Sequence, residues 1–86
     1  MKITITQKHI KQGSPNNGVL CPIALALLEQ TGEQWNVTIG TTGAIAHSCN
    51  ELTETYLPLP KTAHKFAINF DAGKPVNPFS FIFKRS

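Results

Sequence analysis

A ten-residue apolar run, Val19-Leu20-Cys21-Pro22-Ile23-Ala24-Leu25-Ala26-Leu27-Leu28, follows directly on the polar loop Ser14-Pro15-Asn16-Asn17-Gly18. Proline suits the first turn of a helix, because the amide it lacks would have no partner there. The pattern therefore predicts a helix that starts at Cys21 or Pro22 and runs to about Gln30, with Gly32 as its C-terminal stop. Such a helix is apolar on nearly every side. Either the rest of the fold covers it all round, or one side meets a second subunit.

The remaining elements follow from local pattern. Ile3 and Ile5 alternate with Thr4 and Thr6, the period of a short first strand. Thr6 then caps a short helix over Gln7 to Gln12, ended by Gly13. Trp35-Asn36-Val37-Thr38-Ile39 reads as a strand with Trp35, Val37 and Ile39 on one face, and Gly40-Thr41-Thr42-Gly43 turns it into the partner Ala44-Ile45-Ala46-His47. The stretch from Asn50 to Leu59 gives no clear period, and Pro58 and Pro60 end whatever precedes them. From Pro60 to about Ala72 a helix is expected, since Ala63, Phe66, Ala67 and Phe70 fall on one stripe. Gly73 ends it, and Val76 to Phe83 forms the last strand, with Phe79, Phe81 and Phe83 on one face. The order β-α-α-β-β-α-β implies an α+β domain with a small, mainly antiparallel sheet, and 86 residues make it a single domain, 1–86.

Composition narrows the function classes. Eight basic against five acidic residues give a net charge of +3, without the dense basic stripe of a duplex-DNA binder. That balance suits a small anionic ligand at least as well, and makes nucleic acid the weaker expectation. The longest apolar run is about half of what spans a bilayer, so no membrane partner is expected. The first twenty residues hold no apolar core of a secretory signal, and the two cysteines, Cys21 and Cys49, lack C-x-x-C spacing. These features read as a cytoplasmic, reduced protein. No Walker loop, dinucleotide fingerprint, Ser-His-Asp order or zinc-type spacing is present, and neither a cofactor nor a metal is expected.

The first candidate site is the loop before the apolar helix. Ser14, Asn16 and Asn17 carry donors, Gly18 admits a close backbone approach, and the amides of Ile23 and Ala24 at the helix start would face an anion. Lys8 and Lys11 on the preceding helix would add positive charge. Lys61, His64 and Lys65 form a basic face on the later helix that would meet the same ligand or line a pocket with a second subunit. The bland alternatives are a plain surface loop and a solvated helix face. The three histidines, His9, His47 and His64, open a second chemistry: two of them flanking a phosphate would cleave a phosphodiester by acid–base catalysis without a metal. Nothing in their spacing shows that they converge. Cys21, at a helix N-terminus among apolar neighbours, reads as structural rather than reactive.

Two segments taken together resemble a known group. Thr6-Gln7-Lys8-His9-Ile10 with Gly13, then Cys21-Pro22-Ile23-Ala24-Leu25-Ala26, is similar to a T-x-x-x-I…G…C-P-[VI]-A-[LR]-A opening found in small proteins of bacterial viruses and prophages. Leu59-Pro60, Phe66 and Phe70-Asp71-Ala72-Gly73-Lys74-Pro75-Val76-Asn77-Pro78-Phe79-Ser80-Phe81 resembles the L-P…F…F-D-x-G-x-x-V-x-P-F-x-F segment of the same group. The resemblance covers both ends and little of the middle. Relatives of this type often carry a second cysteine just before Cys-Pro; here Val19 and Leu20 stand in that region, which argues against a local metal site. A viral origin would imply host takeover or counter-defence by a short binding protein. The resulting expectation is a homo-oligomer that sequesters an anionic, nucleotide-derived signal of the host. The alternatives are a histidine-dependent phosphodiesterase acting on such a nucleotide, and a protein–protein inhibitor of a host factor.

Overall fold

The computed structural model describes residues 1–49 and 55–83. In chain order its elements are β1 (Lys2–Ile5), α1 (Gln7–Gln12), α2 (Pro22–Thr31), β2 (Trp35–Ile39), β3 (Ala44–Ser48), β4 (Tyr56–Pro58), α3 (Lys61–Asp71) and β5 (Phe79–Ile82). The α+β class and the expected order hold, with β4 added. All pairings are antiparallel, but the strands divide into two sheets, β1-β5 and β2-β3-β4.

Two boundaries differ from expectation for physical reasons. The last strand begins at Phe79 rather than Val76, because Pro75 and Pro78 have no amide to give a ladder. Strand β4 lies in the stretch without a period: its three residues alternate half-buried Leu57 with exposed Tyr56 and Pro58, too few for a pattern to show. Asn50 to Glu54, the rest of that stretch, lie outside the described residues.

Helix α2 sits where the apolar run placed it. Cys21 is its N-cap, Pro22 opens it, and Gly32 ends it in the left-handed conformation that glycine adopts at no steric cost. The helix packs on α1, β1 and β2, which bury Ile23, Ala24, Ala26 and Leu27, while Leu28 remains 45% exposed. Most of the apolar surface is therefore covered within one chain. Helix α3 packs on β2 and β3 from the other end, inserting Ala63, Phe66 and Ala67. Between them lies one continuous core in which Trp35, Phe83, Ile3, Ile5 and Leu27 are fully buried. The indole of Trp35 meets Phe83 edge-on, with ring centroids 5.1 Å apart, and its Nε1–H donates to the Thr31 hydroxyl at 3.1 Å.

One outer edge of each sheet is held by a group from elsewhere. The Gln30 carboxamide accepts from the Thr4 N–H at 2.9 Å and donates to the Thr4 carbonyl at 2.7 Å. On β2, the Val37 N–H donates to the Gly18 carbonyl at 2.8 Å. This contact needs glycine: a Cβ at position 18 would collide with the Asn36 carboxamide and approach the Val37 carbonyl oxygen to 2.8 Å. Gly18→Ala is accordingly expected to lower stability by about 2–3 kcal/mol, combining overpacking with the loss of the edge hydrogen bond. A fall in the urea midpoint at unchanged slope would show it.

Candidate functional site

The structure separates the residues that the sequence grouped as one anion site. At the start of α2 the donors are already used. The Ala24 N–H points at the Cys21 sulfur, 3.4 Å away, with the Ile23 amide beside it, and the Leu25 N–H donates to the Cys21 carbonyl. Ile23 is fully buried. The Ala24 amide expected to face outward is instead taken by the thiol of the N-cap residue, and the Ile23 amide lies beside that thiol. Burial pushes the Cys21 thiol above its ordinary range, the nearby Asp71 carboxylate adds to that rise, and the group stays a neutral structural thiol. Both cysteines are free, Cys21 buried and Cys49 exposed.

The loop itself is tied inward. The Asn17 carboxamide accepts from the amides of Val19 and Leu20, both at 3.1 Å, and the Ser14 N–H donates to the Leu20 carbonyl. Asn16 takes a left-handed conformation, φ 59°, which aims its N–H at the Asp71 carboxylate, 2.9 Å away. Asn16, Asn17 and Gly18 do line a cleft of about 280 Å³, shared with Cys21, Asp71 and residues 36–39 of β2. Among the described residues its walls contain no Lys or Arg. Lys8 and Lys11 lie exposed on α1, outside those walls.

The histidines engage three different sets of neighbours. His9, 3% exposed, accepts the Thr6 N–H on Nδ1 at 2.9 Å, which puts its proton on Nε2, facing the Glu29 carboxylate at 3.2 Å. It is the buried fastener of α1 to α2. His9→Ala is expected to cost about 1–3 kcal/mol by orphaning the Thr6 amide, and to leave ligand capture by the folded protein unchanged; chemical denaturation and a binding assay read the two effects separately. His64 donates its Nε2–H to the Gly40 carbonyl at 2.9 Å, pinning α3 to the β2-β3 turn. His47 lies flat on Tyr56, ring centroids 4.3 Å apart, on the outer face of the three-stranded sheet. No two of them share a partner. Among the described residues no three His, Cys, Asp or Glu side chains gather closely enough to hold a metal ion.

A cleft of about 300 Å³ on the other side of α3 combines features that the loop lacks. Thr62, Lys65, Phe66 and Asn69 form one wall, and the segment from Pro75 to Phe79 forms the other. Helical spacing puts residues 62, 65, 66 and 69 on one face of α3. Pro75 and Pro78 stiffen the facing segment in an extended form. The rings of Phe66 and Phe79 close the base of the cleft, 4.7 Å apart and tilted by 37°. Lys65 is exposed, and no hydrogen bond or ion pair within the described residues occupies its ammonium group or the side chains of Thr62, Asn69 and Asn77. One cation, one hydroxyl and two carboxamides thus stand free beside two aromatic rings. Of the residues expected on the basic face, Lys65 lines this cleft; Lys61 and His64 do not. Sequence reasoning missed Thr62, Asn69 and Asn77 as site residues, and read Phe79 as core rather than as a base-stacking face. The two prolines flanking Val76-Asn77 were the available signal.

No family model, no curated protein and no solved structure matches this chain. The functional reading therefore rests on the geometry.

Proposed function

We propose that the chain is a small binding protein that captures an anionic, nucleotide-like molecule in the cleft between α3 and residues 75–79. The observation that carries this reading is the free Lys65 ammonium group beside two unengaged carboxamides and the Phe66–Phe79 pair. Ammonium and amide donors suit a phosphate, and an aromatic face suits a base. Capture needs no turnover, and nothing in the histidine geometry favours cleavage. The cleft lies at the low end of volumes that enclose small ligands, roughly 300–1,000 Å³. It takes one ring system with its phosphate, and a larger nucleotide derivative would need walls from a second copy. A homo-oligomer is part of the proposal for that reason. That the ligand is a host signal and its capture counter-defence is the part of the proposal that a likeness to small viral proteins would imply.

The test is a recovery assay. Purified protein is incubated with mononucleotides, ADP-ribose derivatives and cyclic oligonucleotides, freed of unbound ligand, heat-denatured, and the released material is analysed. Return of an intact nucleotide supports capture, and return of an altered one turns the reading to catalysis. Retention of none overturns the small-molecule reading. A direct protein–protein inhibitor is the second reading. One surface favours it: the outer face of the three-stranded sheet, where Ile45 and Pro58 lie in register beside the His47–Tyr56 stack and Tyr56 is 60% exposed.

A further inference from the structure

The cleft at the 14–18 loop has a charge character opposite to the one its amide-rich sequence suggests. Asp71 is the last residue of α3, where the helix dipole already concentrates negative potential, and no basic residue occupies that last turn. Among the described residues Asp71 has no ion-pair partner, and its one hydrogen bond comes from a neutral backbone N–H of Asn16. The Asn36 carboxamide on β2 lines the same cleft, its oxygen lying against Gly18, with no hydrogen bond of its own within the described residues. The same negative field reaches the floor, where it opposes ionisation of Cys21. Among the described residues that line it, an anion entering here would meet a carboxylate and a helix C-terminus and no compensating cation.

We propose that this cleft is a second binding site, selective for a small organic cation bearing N–H donors, an alkylammonium or guanidinium group, held by the Asp71 carboxylate beside the Asn36 carboxamide. The Asn16, Asn17 and Asn36 amides give such a group polar neighbours, while half-buried Ile39 accepts a short alkyl stem. One carboxylate with amides is a sparse set for a hard metal ion, which takes six or more oxygens or several waters. An organic cation needs only the charge and two or three acceptors. The site is independent of the nucleotide cleft, since the two share no lining residue.

Titration of the ¹⁵N-labelled full chain with ethylguanidinium chloride and with butylammonium chloride, at constant ionic strength, tests this. Saturable shifts are expected at the amides of Gly18, Val37 and Thr38 and at the Asn36 side chain. Asp71→Asn should weaken binding about tenfold, the loss of one charge-assisted hydrogen bond, while its amide oxygen still accepts from Asn16 and the rest of the spectrum stays put. Should Asp71→Asn fail to fold, Asn36→Val, at an exposed strand position, should weaken binding severalfold with Asp71 in place. A blocked arginine-containing peptide in place of the free cations distinguishes a protein-borne guanidinium from a free small molecule. Absence of saturable shifts at millimolar cation, equal binding by Asp71→Asn or by a folded Asn36→Val, or tighter binding of inorganic phosphate at the same amides would each overturn the proposal.

Discussion

Trp35→Ala is expected to remove a large share of the stability of the domain. Trp35 is 1% exposed, fills the space between β2 and Phe83, and is the bulkiest of the fully buried side chains. Truncating a buried tryptophan costs about 3–5 kcal/mol, against a total of about 5–15 kcal/mol for a typical domain. The Thr31 hydroxyl adds to the loss. It donates to the Leu27 carbonyl and accepts from both the Glu33 amide and the indole, so the α2-to-β2 corner loses a member of a small network. For a chain of this size each kcal/mol moves the thermal midpoint by about 4–8 °C, so a drop of about 12 °C or more is expected by calorimetry. Trp35→Phe keeps much of the volume and loses the hydrogen bond, and should fall well short of that. Equal midpoints for the two variants would mean that the hydrogen bond outweighs the packing.

The second large effect is functional. Lys65→Gln should weaken nucleotide capture about 10- to 100-fold, since a hydrogen bond to a charged group contributes roughly 1.5–3 kcal/mol and each 1.4 kcal/mol is tenfold in affinity. The lysine is exposed, so its removal should leave the melting temperature within about a degree of the parent, as surface substitutions usually do. Lys11→Gln is the control, an equally exposed lysine with the same change in net charge but outside the cleft. Isothermal titration with the nucleotide recovered from the panel distinguishes the cases. If the two variants lose affinity equally, the lysine acts through overall charge and the cleft is not the site. Raising salt should weaken the parent more than Lys65→Gln, because the variant has one fewer ion contact to screen.

How much of this was legible beforehand depends on which residues are asked. Pro22 after a polar loop, the period-two pattern at 35–39 and the Gly-Thr-Thr-Gly turn each state their own local structure, and each element formed where the pattern put it. The division into two sheets was not legible, since it depends on Met1 pairing with Phe83 across the length of the chain. The loop misled for a related reason. Ser14, Asn16 and Asn17 look like free donors in sequence, but folding brings Asp71 from α3 onto Asn16, and Cys21 turns its sulfur to the amides that an anion would need. A site's charge is a property of what converges on it, and a carboxylate 55 positions away decides this one. Phe79 shows the converse. Its place in the Phe79, Phe81, Phe83 alternation marks it as core, yet at the end of a strand opened by Pro78 it is only half-buried and forms a wall of the cleft.

The double hydrogen bond from Gln30 to Thr4 has a consequence for how copies of this chain can meet. A two-stranded ribbon normally offers both margins as templates for another backbone, and such open margins are where ordered aggregates grow. Here a helix lends its side chain as a one-residue counterfeit of the missing neighbour, satisfying the backbone donor and acceptor of Thr4 together. Elongation of the ribbon through β1 is thereby stopped at its middle. Any added strand must arrive along β5, so stacking of copies through this ribbon ends at a pair instead of continuing into a fibre.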